Sequence, residues 1–172
     1  MTLWLGIPVA AVLLWAIVIY NLLVRDRARV DAAWSDIDVQ LRRRADLLPK
    51  LVDTVRQHAS YEAETLAEAI RQRDPEAIPS EPIRRALREG RVERAIDQVF
   101  ARVEDYPELN ASAAFVHLQE QISEVERHIQ HARRYYNGAV RNLNTRLEQF
   151  PDMLLARLLR YSARPYFQVD RE

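Results

Sequence analysis

Residues 3–24 read LWLGIPVAAVLLWAIVIYNLLV, and residues 25–34 continue RDRARVDAAW. The change from the first text to the second decides the fold. In 3–24 only Gly6, Pro8 and Asn21 interrupt nineteen apolar residues. A helix of this length, at about 1.5 Å per residue, crosses a hydrocarbon core of roughly 30 Å. Trp4 and Tyr20 stand near its two ends, where amphipathic rings favour the interface. Pro8 falls in the first turns, where a missing N–H disturbs least. A cleaved signal peptide would start with positive charge, carry a shorter apolar core and end on small residues. The chain meets none of these conditions: no charged side chain precedes the run, its core exceeds about 15 residues, and YNLLVRDR (20–27) follows it.

Charge gives the expected orientation. On the short side only the α-amine is positive, whereas Arg25, Arg27 and Arg29 follow the apolar run at once. Arginine collects on the cytoplasmic side, and acids such as Asp26 and Asp31 contribute little to that rule. The expectation is a single-pass membrane protein, N-terminus outside and C-terminal body cytoplasmic.

The whole-chain averages conceal this split. Of 172 residues, 25 are basic and 25 acidic, 48% are apolar and 29% charged, but residues 1–24 carry no charged side chain. The absence of Cys excludes disulfides, thiolate nucleophiles and zinc–thiolate centres. Three Gly are too few for glycine-rich phosphate loops. Every basic residue but Lys50 is Arg. A net charge of zero argues against bulk binding of nucleic acid.

Beyond the apolar run, Val30, Trp34, Ile37, Leu41, Ala45, Leu48, Val52, Val55 and Ala59 recur at steps of three and four. That is the period of a helix with one apolar face. The seam keeps phase across Pro49, so the spacing predicts one helix with a bend there, running from the membrane to about Arg73. The alternative is a new helix capped by Asp46, with Pro49 in its first turn. Three prolines in DPEAIPSEP (74–82) predict a loop. A helix over 83–105 follows through Ile83, Leu87, Val92, Ile96, Val99 and Val103. Gly90 weakens it, and 83–89 could stand as a separate piece. The clearest pattern runs from 112 to 150, with Ser112 as cap and Phe115, Leu118, Ile122, Val125, Ile129, Ala132, Tyr136, Ala139, Leu143, Leu147 and Phe150 as its face. A short helix over 152–162 carries Leu154, Leu155, Leu158 and Leu159. The predicted fold is all-α: a transmembrane anchor (1–24), an antiparallel helical bundle (25–163) with helices at about 25–73, 83–105, 112–150 and 152–162, and a tail (164–172).

Three segments carry a family resemblance: YNLLVRDRARVDAAWSDIDVQLRRRADLLPKLVDTV (20–55), EDYPELNASAAFVHLQEQISEVERHI (104–129) and ARRYYNGAVRNLNTRLEQFP (132–151), with RPYF (164–167) after them. Taken in this order with the N-terminal anchor, they resemble the LemA family of bacterial membrane proteins. The resemblance implies one N-terminal membrane helix and a bundle of long helices, and implies no defined activity. Region 74–98 departs most from the family pattern, and Lys50 stands where the family usually has Asn.

No residue pattern reads as a catalytic, cofactor or metal site. His128, His131 and Glu124 share a helix face, but Glu-x-x-His is absent before His58, His117, His128 and His131. There is no HExxH and no GxSxG elbow. Asp36 and Asp38 are two apart on a helix and diverge by about 200°. Asp46 reads as a cap or a partner for Arg42 or Arg43. The runs Arg42-Arg43-Arg44, Arg84-Arg85 and Arg133-Arg134 are interleaved with acids and read as solvated faces. Arg25, Arg27 and Arg29 adjoin the bilayer and can meet anionic head groups. Tyr135, Tyr136 and Asn137 read either as one packed ring with Asn137 bonded across helices, or as an aromatic patch for a partner.

The function expected is therefore non-enzymatic, with no cofactor and no nucleic acid. The leading expectation is a membrane-tethered scaffold or adaptor, anchored by residues 3–24, that docks an unidentified membrane or cytoplasmic protein or a second copy of itself. The alternative is a membrane-surface or membrane-shaping protein that self-associates on anionic lipid.

Overall fold

A computed structural model describes residues 2–57, 59–71 and 82–168, and every described regular element is helical. The first helix, α1 (Thr2–Arg56), is one piece of 55 residues that contains both Pro8 and Pro49. It is about 80 Å long and joins the apolar run directly to the core of the body. A proline inside a helix costs about 3 kcal/mol. Here Pro49 points to solvent while Leu48, Leu51, Val52 and Val55 on either side are buried, and burial of that seam on both sides offsets the lost bond. Asp46 lies inside α1 and caps nothing.

The expectation of one helix as far as Arg73 is corrected. The chain breaks after Arg56 and resumes as α2 (Ser60–Arg71). No Gly or Pro marks the break. Ala59 still donates to the Val55 carbonyl and accepts from Ala63, so the turn is tight. It places Ala59, Ala63 and Leu66 in the core beside α1, a tertiary gain that overrides local helix propensity. His58, the loop at 74–81, the predicted helix end near Arg73 and residues 169–172 lie outside the described residues.

Helix α3 (Pro82–Arg102) passes through Gly90 without a break, so 83–89 is no separate piece. Leu87 is exposed, and the inward face is instead Ala86, Glu89, Val92, Ile96 and Val99. A 3-10 turn (Val103–Asp105) and α4 (Pro107–Asn110) then lead to α5 (Ala113–Glu148). Ser112 occupies the N-cap position of α5 with extended backbone, but its side chain makes no capping bond. The last element, α6 (Asp152–Leu158), is shorter than predicted.

Helix α5 runs antiparallel to α1. Along the pair, Asp26 meets Arg146, Trp34 meets Tyr136, and Arg44 meets Glu126. Nine residues of α5, from Phe115 to Leu143, are buried in this seam at helical spacing. Phe100 of α3 closes the far end, edge-on to Phe115 at 6.1 Å. The main core lies among α1, α2, α3 and α5. A second, smaller cluster forms where α6 packs on Ile19 and Leu23 of α1.

Candidate functional site

Most buried charge in the body is spent on structure. Arg44 is 1% exposed and reaches two carboxylates, Glu126 at 2.6 Å and Glu89. Burial pushes its pKa down, but Glu126 and Glu89 outweigh that and hold it above its ordinary value. The reading of Arg42-Arg43-Arg44 as a solvated run is corrected. Successive helix residues fan by about 100°, so with α3 and α5 on one side the third arginine faces the core. Arg42 and Arg43 stay exposed beside Asp38 and Glu124.

The other two runs divide in the same way. Arg85 is nearly buried, paired with Asp38 and set over the Trp34 ring at 5.5 Å. Arg133 is buried, bonded to Glu93 at 3.1 Å and stacked on Phe167 at 5.1 Å. Asp38 is thus held between Arg42 and Arg85, while Asp36 is exposed, and the two acids do not converge.

Glu62 of α2 is a further anchor. Tyr106 donates to it at 2.9 Å and Arg102 at 3.3 Å. Burial raises its pKa, but its own backbone N–H, Tyr106 and Arg102 together bring it below the usual carboxylate range. The same bond to Glu62 lifts the Tyr106 phenol above its ordinary value.

The tail was expected to form no element, and its role was missed. Its residues 164–167 lie along α5, held by two asparagine side chains. Asn144 accepts from the Arg164 N–H and donates to its carbonyl, both at 2.9 Å. Asn137, two turns earlier, does the same for Phe167 at 2.8 and 3.0 Å. Tyr136 donates to the Pro165 carbonyl, and Phe167 is buried against Trp34 at 5.9 Å. Of the Tyr135–Tyr136–Asn137 segment, Tyr136 is core, Asn137 binds the tail rather than another helix, and Tyr135 is exposed. The spacing of seven between two helix asparagines is the signal that could have found this clasp.

His117, His128 and His131 stay on the surface. His128 lies 3.5 Å from Glu124, and the His131 Nδ1 accepts from Arg134 at 3.0 Å. Among the described residues no three His, Asp or Glu side chains converge as a metal set would. His128 and His131 instead line an open groove of about 400 Å³ between α1 and α5, with Asp36, Val39, Gln40, Ala132 and Tyr135.

At the membrane end of the body, Asp26 and Asp152 are both buried and both accept from Arg146, at 2.6 and 2.8 Å. The bond to Asp26 is the main reason the Arg146 pKa is raised, and it exceeds the opposing effect of burial. This cluster fixes α1, α5 and α6 to one another one turn beyond the apolar run. Residues 7–18 on the other side of it project mostly bare apolar side chains.

The family model for LemA matches residues 33–172, which takes in most of the helical body. The chain belongs to the LemA family. Comparison with curated proteins finds no match. In this LemA protein the family match begins within α1, beyond the apolar run, so the shared part is the bundle. The protein is membrane-associated and largely helical: one apolar helix long enough to cross a bilayer continues into a charged helical body.

Proposed function

We propose that this LemA protein is a membrane-tethered helical scaffold that docks a protein partner at the cytoplasmic surface of the inner membrane, without catalysis of its own. The observation that carries the reading is α1 itself. A single helix runs from the apolar span through the core of the bundle, so the body is held at a fixed attitude to the membrane rather than on a flexible linker. The N-terminus-outside orientation draws on Arg25, Arg27 and Arg29, joined on the same side by Arg157 and Arg160. The non-catalytic reading draws on the buried charges, since Arg44, Glu62, Asp26 and Arg146 are engaged with one another's elements. The docking surface is the α1/α5 groove, where Val39 and Tyr135 expose large apolar area on an otherwise charged face.

A photo-crosslinking residue at Tyr135, compared with one at Tyr61 on α2, tests this in cells. The expected result is a discrete adduct from Tyr135 that is lost in Val39→Asp and weakened when residues 1–24 are removed, since tethering raises effective concentration. Replacing Asp36, Asp46, His128 or His131 singly by Ala should preserve the in-cell role wherever folding survives. A folded, correctly localised His128→Ala protein that is inactive would overturn the scaffold in favour of metal or catalytic chemistry. Protease protection on spheroplasts checks the orientation, and digestion of the body from outside would reverse it.

A further inference from the structure

Helix α6 is apolar nearly all round. Six of the eight residues in DMLLARLL (152–159) are Met, Leu or Ala. Such a helix normally lies inside a core. Only one side of this one is covered: Ala156 is buried, with Leu155 and Tyr161 partly so, against Ile19, Leu23, Trp15 and Leu22 of α1. The other side is bare, with Leu158 77% exposed, Phe150 71% and Leu154 51%. The covered side rests on residues that belong to the apolar run 3–24. The bare side therefore sits beside the end of the span, at the depth where that run meets its charged continuation.

Two further observations lie at the same level. Arg160 has φ 56°, in the left-handed region that favours glycine. It closes α6 in a Schellman turn, with Arg160 N–H bonded to Arg157 O at 3.1 Å and Tyr161 N–H to Ala156 O at 3.0 Å. Glycine would make this turn without strain, so an arginine there marks a place where the side chain matters. That arginine lines a pocket of about 330 Å³ with Arg27, Arg164, Tyr161 and Ser162. Arg27 also lies 6.0 Å above the Tyr161 ring, which joins the span side of the pocket to the α6 side. Asp31, an exposed acid, pairs with both Arg27 and Arg164. Three arginines in the lining, against the one aspartate that pairs with two of them, leave this cavity net positive.

We infer that α6 and the turn after it form a binding site for an anionic phospholipid in the leaflet around the end of the span. Phe150, Leu154 and Leu158 enter the acyl region, and Arg27, Arg160 and Arg164 receive the headgroup phosphate. The inference rests on the reading of α1 as a membrane span. It explains why an all-apolar helix is left half-covered: the bilayer is its second packing partner. Arginines with apolar residues beneath them are the arrangement by which interfacial helices hold anionic lipid.

The chain contains no Cys, so single cysteines carry spin labels without background. The full-length protein in nanodiscs of phosphatidylcholine with phosphatidylglycerol is labelled at Val12→Cys, Leu158→Cys or Val39→Cys. Accessibility is then read against oxygen and a water-soluble nickel chelate. Val12 and Leu158 should both favour oxygen, severalfold more than Val39. Replacing phosphatidylglycerol by phosphatidylcholine should make Leu158 shallower, and Arg160→Gln with Arg164→Gln should remove that lipid dependence. A water-exposed Leu158 with Val12 still in lipid overturns the inference and leaves the span intact. A water-exposed Val12 overturns the span. A Leu158 label shielded from both reagents and broadened by a neighbouring label means that a second copy covers the face, which also overturns the inference. Inorganic phosphate that reproduces the phosphatidylglycerol effect in phosphatidylcholine discs would make the pocket a free-anion site and refute the lipid.

Discussion

Arg146 donates through Nε to Asp26 Oδ2 at 2.6 Å, across 120 residues of sequence. The bond joins the last turns of α5 to the first charged turn of α1 after the apolar run. Arg146 uses a second nitrogen for Asp152 at 2.8 Å, so one guanidinium sets the position of three helices at the membrane surface. Asp26 and Asp152 are almost fully buried; without Arg146, Asp152 is left with its desolvation cost and Asp26 keeps only the longer contacts to Arg29 at 3.6 Å and Arg25 at 3.8 Å. Arg146→Met should therefore destabilise the folded body by about 3 kcal/mol, whereas Asp26→Asn should cost less because Arg146 keeps Asp152. Urea unfolding of the full-length protein in detergent, followed by helical ellipticity, measures both. Equal, negligible losses would mean that the cluster is solvated and holds nothing.

The Arg44 triad gives a sharper contrast. Arg44→Ala leaves Glu89 buried and Glu126 half-buried without their shared cation, and should cost about 3–5 kcal/mol. Replacing all three by residues of similar volume, Arg44→Met with Glu89→Leu and Glu126→Leu, should recover most of the loss or exceed the wild type. The same unfolding measurement decides it. A triple variant as unstable as Arg44→Ala would show that the charges contribute more than their desolvation costs.

How far the sequence reveals these features depends on where the partner lies. The seam from Val30 to Val55 and that from Phe115 to Leu143 are legible because each is written in one helix. The buried arginines were not legible, because the carboxylates that bury Arg44 stand 45 and 82 residues away. A triplet of arginines looks solvated until a second and third helix arrive. The break after Arg56 carries no Gly or Pro and exists only because α2 packs back on α1. Phe150, Leu154 and Leu158 keep the phase of an apolar face, and periodicity assigned them to the core. They are exposed because α6 turns its Ala156 side onto α1 and no other described element covers its opposite side. The tail carries no helical period to read, yet its backbone is paired through Asn137 and Asn144.

Those asparagines make a separate prediction. Asn137→Ala removes both bonds to Phe167, and Asn144→Ala removes both to Arg164. Each loss should cost about 1–2 kcal/mol locally, and the pair should free the tail. Phe167 would then leave Trp34, so the indole emission should shift red and the tail should become open to carboxypeptidase. Limited proteolysis with mass spectrometry gives the cleavage point. A tail as resistant in the double variant as in the wild type would show that Phe167 burial alone retains it.

Acid should loosen α2 before the α1/α5 pair. Glu62 has a folded pKa below that of an unfolded glutamate, about 4.3. Its contribution is therefore complete above the unfolded value and is lost as pH falls through the folded one. The loss should appear between roughly pH 5 and pH 3, the range in which an unfolded glutamate takes up its proton and the folded one follows. Other carboxylates titrate there too, so the informative quantity is the difference between wild type and Glu62→Gln. Glu62→Gln should be less stable near neutrality, because Arg102 loses its charge partner and Tyr106 keeps only a neutral acceptor. The gap should close in acid, as the wild-type carboxyl becomes neutral as well. Thermal midpoints recorded across this pH range give the difference curve directly. Hydrogen exchange at α2 should rise in the same range while α5 stays protected. Two parallel stability curves, with a constant gap at every pH, would show that Glu62 is not the group whose charge holds α2 in place.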